Sequence, residues 1–168
     1  MGFLDMFKKK EEPAAPAGPV MLAADAKGTL VPMEQIPDEV FAQGILGKCC
    51  GIDPAEGKVF APCDGEITQA PDSLHALGIQ GPGGVEVLIH VGVDTVEMKG
   101  DGFASNVKVG SKIKKGQELL TMDLAKIAAA GHPAVVITVV TNTDDYAEVE
   151  TVASGSVVPG DDMIKVTK

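Results

Sequence analysis

From Val20 to the C-terminus, short apolar runs alternate with turn residues, the pattern of many short strands and few helices. The clearest run is Val85–Val91. Val85, Val87, Ile89 and Val91 fall on one face of a strand, and Glu86, Leu88 and His90 on the other. Upstream, Leu74–Gln80 reads as a second strand, and Gly81-Pro82-Gly83-Gly84 between the two is a turn. Val107–Met122 predicts two alternating strands around glycine turns, Val135–Val140 a buried strand, and Met163–Val166 a closing strand. Only two helical signals stand out. One short turn is predicted in Ile36–Gly47, and a short helix in the alanine-rich stretch from Asp123 to Ala130. A small-x-Gly-x-aliphatic pattern recurs at Ala26–Leu30, Cys63–Ile67 and Ala153–Val157, a weak internal repeat that suits related strand units.

The two strand histidines carry the candidate chemistry. If Gly81–Gly84 is the whole loop, Gln80 pairs with Val85, and His75 falls opposite His90. Directly opposed Cβ atoms lie roughly 4.5–5.5 Å apart, close enough for the rings to touch. The same register puts Leu77, Ile79, Leu88 and Glu86 on the histidine face. Spacing alone leaves three uses open: a covalent carrier with one ring assisting the other, a pair of metal ligands, or two histidines satisfied by backbone carbonyls. His132, before Pro133, reads as a solvated loop histidine.

Composition narrows the function classes. A chain of 168 residues suits one domain with a real core. The net charge of −10 excludes nucleic-acid binding, because no basic stripe can track phosphates. Three cysteines, two of them adjacent (Cys49, Cys50) and one at Cys63, form no disulfide framework and fit a reducing cytosol.

Three segments are expected. Residues 1–10 form an amphipathic tail, with Phe3, Leu4, Met6 and Phe7 beside Lys8–Lys10, suited to an anionic membrane surface. Residues 11–19 form a proline–alanine linker, and residues 20–168 the folded domain. No signal peptide or membrane span is legible, so the expected location is cytoplasmic, with peripheral contact at the inner face of the cell membrane.

The stretch His90-Val91-Gly92-Val93-Asp94-Thr95-Val96-Glu97-Met98-Lys99-Gly100-Asp101-Gly102-Phe103 resembles the signature of the glucose-family enzyme IIA of the bacterial phosphoenolpyruvate-dependent sugar phosphotransferase system. So does Ala61-Pro62-Cys63-Asp64-Gly65-Glu66-Ile67, followed at the family's distance by Ser73-Leu74-His75-Ala76. The resemblance runs from about Ala24 to the C-terminus. It implies an all-β domain: an antiparallel β-sandwich or barrel-like hybrid (a duplicated hybrid motif) with short helical turns. It further implies that His90 takes a phosphoryl group from the phosphocarrier HPr and passes it to a cysteine in the IIB domain of a membrane sugar permease.

By the same resemblance, His75 stabilises the phosphoryl group, and Ser73, where the family usually has threonine, orients His75. Asp38, Val40, Phe41, Ile45, Asp94 and Val96 are expected to meet partner proteins, although the residues alone leave a core role open for Val40, Phe41, Ile45 and Leu46. Gly92 is expected to leave room for them. No cofactor is required, although His75 and His90 can bind Zn²⁺. Two features depart from the family: Ala70-Pro71-Asp72 and Gly78 replace larger residues near the site, and Ala24–Gly28 lacks the usual Ala-Pro.

Two other classes compete. Gly110–Leu119 followed by Met122–Ile127 is similar to biotinyl and lipoyl carrier domains, with Lys126 near their modified lysine. Those domains are much shorter, and Lys126 leads into Ala128–Ala130 without the tight hairpin they need, so it is expected to be solvated. A zinc hydrolase has possible ligands in His75, His90 and Asp94, but it also needs a base and an open position for water, and no H-x-H or H-E-x-x-H motif completes the set.

Overall fold

The computed structural model describes residues 19–168. The amphipathic tail and nearly all of the proline–alanine linker lie outside the described residues. Chain order begins β1 (Val20–Ala23), β2 (Gly28–Val31), α1 (Glu39–Ala42), β3 (Lys48–Pro54), β4 (Lys58–Phe60), β5 (Gly65–Gln69), β6 (Ala76–Gln80) and β7 (Glu86–Val91). It continues with β8 (Phe103–Ser105), β9 (Lys112–Ile113), β10 (Glu118–Met122), α2 (Leu124–Ala129), β11 (Val136–Val140), β12 (Glu148–Thr151), β13 (Ser156–Val157) and β14 (Asp162–Thr167).

Every strand pairing is antiparallel. An eight-stranded sheet runs β13-β2-β3-β11-β7-β6-β5-β9, and two three-stranded sheets run β1-β14-β12 and β4-β10-β8. This is the sandwich-like all-β architecture expected. The repeat of small-x-Gly-x-aliphatic segments marks where β2, β5 and β13 begin. At Gly28 and Gly65 a Cβ would overlap the carbonyls of Asp53 and Gln80, so both strand starts need glycine for close backbone approach.

The main core gathers Leu22, Ile52, Ile67, Ile79, Ile89, Leu119, Leu120, Ile127, Met163 and Ile164 between the sheets. Each fully buried Leu, Ile or Met contributes roughly 1.5–3 kcal/mol relative to exposure. A smaller cluster of Ile36, Phe41, Cys49, Val93, Val135, Ile137 and Val139 lies on the other side of β11. That explains why all five residues of β11 are buried: Val136 and Val140 serve the main core, Ile137 and Val139 the smaller one. Burial pushes the thiols up, to about 11 at Cys49 and about 12 at Cys50 and Cys63. All three are free and unreactive where they lie.

The hairpin register differs from the expected one by one residue. Gln80 pairs with Glu86, Gly78 with Leu88 and Ala76 with His90. The turn takes in Val85, whose carbonyl accepts from Gly81 N–H at 2.8 Å. Contacts from far along the chain hold that longer turn. Tyr146 O–H donates to Gly83 O at 3.0 Å, and Asn142 donates to Gly84 O at 3.0 Å while accepting from Glu86 N–H at 2.9 Å. The shift turns Leu77 and Ile79 away from the histidine face and into the core with Val87 and Ile89.

One polar group lies deep in the core. Asp25 is fully buried, Thr138 Oγ1–H donates to its Oδ2 at 2.5 Å, and its Oδ1 has no partner. Burial raises its carboxyl to about 7, more than the Thr138 bond lowers it.

Candidate functional site

His90 is held by the pairing of its own strand. As the fifth residue of β7 it lies between Ala76 of β6 and Ile137 of β11, on the face opposite Ile89 and Val91. The chain then turns at Gly92, and the Gly92 carbonyl accepts a hydrogen bond from His90 Nδ1–H at 2.8 Å. A carbonyl oxygen only accepts, so the proton is on Nδ1 and the lone pair of the neutral ring is on Nε2. Gly92 was expected to make room for a partner. It is buried instead, and a Cβ there would overlap the Thr95 methyl.

His75 does not sit opposite His90, yet the rings meet. It lies just before β6, after Leu74, whose φ of 60° breaks the extended run. His75 O accepts from Val91 N–H at 2.7 Å, which ties the start of β6 to the end of β7. The two rings lie edge to face with centroids 5.1 Å apart and planes at 80°. The Ser73 hydroxyl is 2.6 Å from His75 Nδ1. With that hydroxyl donating, the proton of a neutral His75 is on Nε2.

Both imidazoles are shifted below the ordinary histidine value. Burial lowers His75 first, and the neighbouring His90 lowers it further. Burial dominates at His90 as well, opposed by the Gly92 bond and then by the charges of Asp38 and Asp94. Two neutral rings, one presenting a bare nitrogen, are what the site offers near pH 7.

The expected partner surface divides. Ile45 (66% exposed), Val96 (50%) and Val40 (42%) are open to solvent, and so is Leu46. Asp38 caps α1, accepting from Val40 N–H at 2.8 Å, and Asp94 is exposed in a left-handed conformation with φ 59°. Phe41 is not on that surface. It is 5% exposed and packs under His90, ring centroids 5.1 Å apart. The sequence signal for this is that Phe41 is one of the apolar residues of the short turn that also read as core.

His132 is not the solvated loop residue expected. Its side chain is 14% exposed, with Nε2 4.0 Å from a Glu97 carboxylate oxygen. Lys126 lies on α2 and pairs with Asp101 at 2.8 Å. Among the described residues, no group of three or more His, Cys, Asp or Glu side chains is placed to hold a metal ion. His75 and His90 alone therefore supply at most two ligands. Among the same residues, no helix is long and apolar enough to cross a membrane.

The comparisons with known proteins agree with this arrangement. Residues 20–146 match the phosphoenolpyruvate-dependent sugar phosphotransferase system, EIIA 1 family. The chain is 40% identical over 161 residues to the PTS system glucose-specific EIIA component of Halalkalibacterium halodurans, covering 96% of this chain and 93% of that one. It is 38% identical to part of the PTS system beta-glucoside-specific EIIBCA component of Dickeya chrysanthemi, covering 89% of this chain and 26% of that longer one. In structure it is similar to glucose permease IIA from Mycoplasma capricolum, with a TM-score of 0.80 and 32% identity over 88% of this chain and 95% of that one. The chain belongs to the EIIA 1 family of the sugar phosphotransferase system, and its role is that of a phosphotransferase component in sugar uptake.

Proposed function

We propose that His90 is the phosphoryl acceptor of this EIIA chain. It would take the group from phospho-HPr and pass it to a cysteine in the IIB domain of a sugar permease. The observation that carries this reading is the 2.8 Å bond from His90 Nδ1–H to Gly92 O, which leaves the Nε2 lone pair free. Attack by Nε2 on phosphorus forms the new N–P bond as the bond to the donor nitrogen breaks, and the donor keeps that electron pair. No proton has to leave His90 first. The positive charge gained by the ring is shared toward Nδ1–H and the Gly92 carbonyl. His75, held by Ser73, would donate Nε2–H to a phosphoryl oxygen and stabilise the charge in the in-line transition state. Half-buried Asp38 and exposed Asp94 would attract basic side chains of the partners.

The relative from Dickeya chrysanthemi, named an EIIBCA component, supports a IIB-type recipient. No cofactor enters this transfer. His75 and His90 would give any zinc two ligands, leaving the other positions to water or to a partner protein.

The test mixes the protein with phosphoenolpyruvate, enzyme I and HPr and maps acid-labile phosphate by mass spectrometry at neutral or basic pH. Phosphate on His90, lost in His90→Ala, is the expected result. Phosphate elsewhere, or none with active controls, overturns the reading. His75→Gln is expected to accept phosphate from HPr but to pass it on poorly.

A further inference from the structure

Thr95 is fully buried although polar, and nothing in the transfer step uses it. Its surroundings are the two peptide planes that meet at Gly92. In the first plane, Thr95 Oγ1–H donates to Val91 O, while Gly92 N–H donates to Val135 O at 2.7 Å. In the second, Val93 N–H donates to Pro133 O at 3.0 Å, and the carbonyl of that plane, Gly92 O, faces His90 Nδ1. Because a peptide unit is planar, holding its N–H on one side fixes where its oxygen points on the other. Both planes are therefore held at both ends.

Thr95 is the one side chain besides His90 in this set of contacts. Its methyl also occupies the space where a Cβ of residue 92 would stand, closing the room into which the Gly92 backbone, at φ 78°, could relax.

We propose that Thr95 is a positioning residue for the His90 reaction: its hydroxyl locks the Gly92 turn, so that the Gly92 carbonyl keeps the His90 proton on Nδ1. This rests on His90 Nε2 being the nucleophile. A rotated Gly92 carbonyl would release the Nδ1 proton, and the neutral ring would then populate the tautomer with Nε2–H, which has no lone pair to attack phosphorus. Thr95 thus controls the fraction of His90 that can react without touching the phosphoryl group.

The test separates positioning from stability. Imidazole ¹⁵N spectra of the unphosphorylated protein at pH 8 report the His90 tautomer directly. Wild type and Thr95→Ser are expected to show Nδ1–H with a bare Nε2. Thr95→Val, which keeps shape but loses the hydroxyl, is expected to show the proton shared between the two nitrogens. Phosphoryl acceptance should fall about tenfold in Thr95→Val and recover to within about twofold in Thr95→Ser.

A Thr95→Val protein that is less stable but keeps the wild-type His90 tautomer overturns the proposal. Should Thr95→Val not fold, Thr95→Ala is read in the same way. If no variant, wild type included, accepts phosphate on His90, the carrier reading fails, and the tautomer shift still decides the role of Thr95.

Discussion

The Ser73 hydroxyl lies 2.6 Å from Nδ1 of His75, a ring that reaches His90 only because the backbone leaves the strand before β6. That short bond sets which His75 nitrogen faces the site. Ser73→Ala is expected to free the ring and slow onward transfer by about tenfold, the size typical of a lost orienting contact to a working group. Ser73→Thr should retain wild-type rates. Single-turnover transfer from the phosphorylated protein to a IIB domain measures this, and an unchanged Ser73→Ala rate would remove Ser73 from the mechanism.

Acceptance should be acid-sensitive in a defined direction. Burial lowers both histidines, so His90 stays neutral below the ordinary histidine pKa of 6.5. The acceptance rate is expected to be level through neutral pH and to drop only at a pH below 6.5, as Nε2 becomes protonated. Asp38→Asn with Asp94→Asn removes the charges that oppose this lowering and should move the drop to still lower pH. A drop centred above 6.5 in wild type would contradict the desolvated site.

Stability should depend on Asp25 in the opposite sense. The carboxyl titrates at about 7 in the folded chain, against an ordinary aspartate value of 3.8. Below 3.8 both states hold the proton. Between the two values only the folded state does, so unfolding free energy falls as pH rises, and it levels off above about 7. The loss is on the order of a few kcal/mol. Asp25→Asn should abolish that slope, as read from urea unfolding between about pH 4 and pH 8. The absolute stability of the variant is a separate matter, since its amide would inherit the position of the unpartnered Oδ1.

Phe41 and Ile45 should separate folding from recognition. Phe41→Ala empties a buried site beneath His90 and is expected to cost about 3–5 kcal/mol. Ile45→Ser changes a residue 66% exposed and should leave stability within about 0.5 kcal/mol while weakening HPr or IIB docking. Thermal melts and transfer kinetics on the same two variants make the comparison. Normal kinetics for Ile45→Ser would take it out of the partner surface.

Residues 1–10 are expected to bind anionic lipid weakly through Phe3, Leu4, Met6 and Phe7 with Lys8–Lys10. Co-sedimentation with phosphatidylserine-containing vesicles at low salt should be lost on deleting them and also at high salt. Equal binding by the deleted protein would rule out the tail as the contact.

The sequence by itself determined the all-β class, a strand ending at Val91 with His90 away from the core, and a short turn starting near Asp38, because alternation, β-branching and capping act over a few residues. The histidine motif by itself also pointed to the family. Contacts distant in sequence decided the rest. Tyr146 and Asn142 stretch the Gly81–Val85 turn by one residue, and that shift alone moves Leu77 and Ile79 to the core. The departure at Leu74 carries His75 back to His90 despite the shift, since a left-handed residue redirects a side chain that strand alternation would have turned inward. Phe41 became the floor of the site, Asp25 a buried acid and Thr95 the brace of the Gly92 turn for the same reason. Burial belongs to the packing of strands far apart in the chain, and no local pattern encodes which of them will meet.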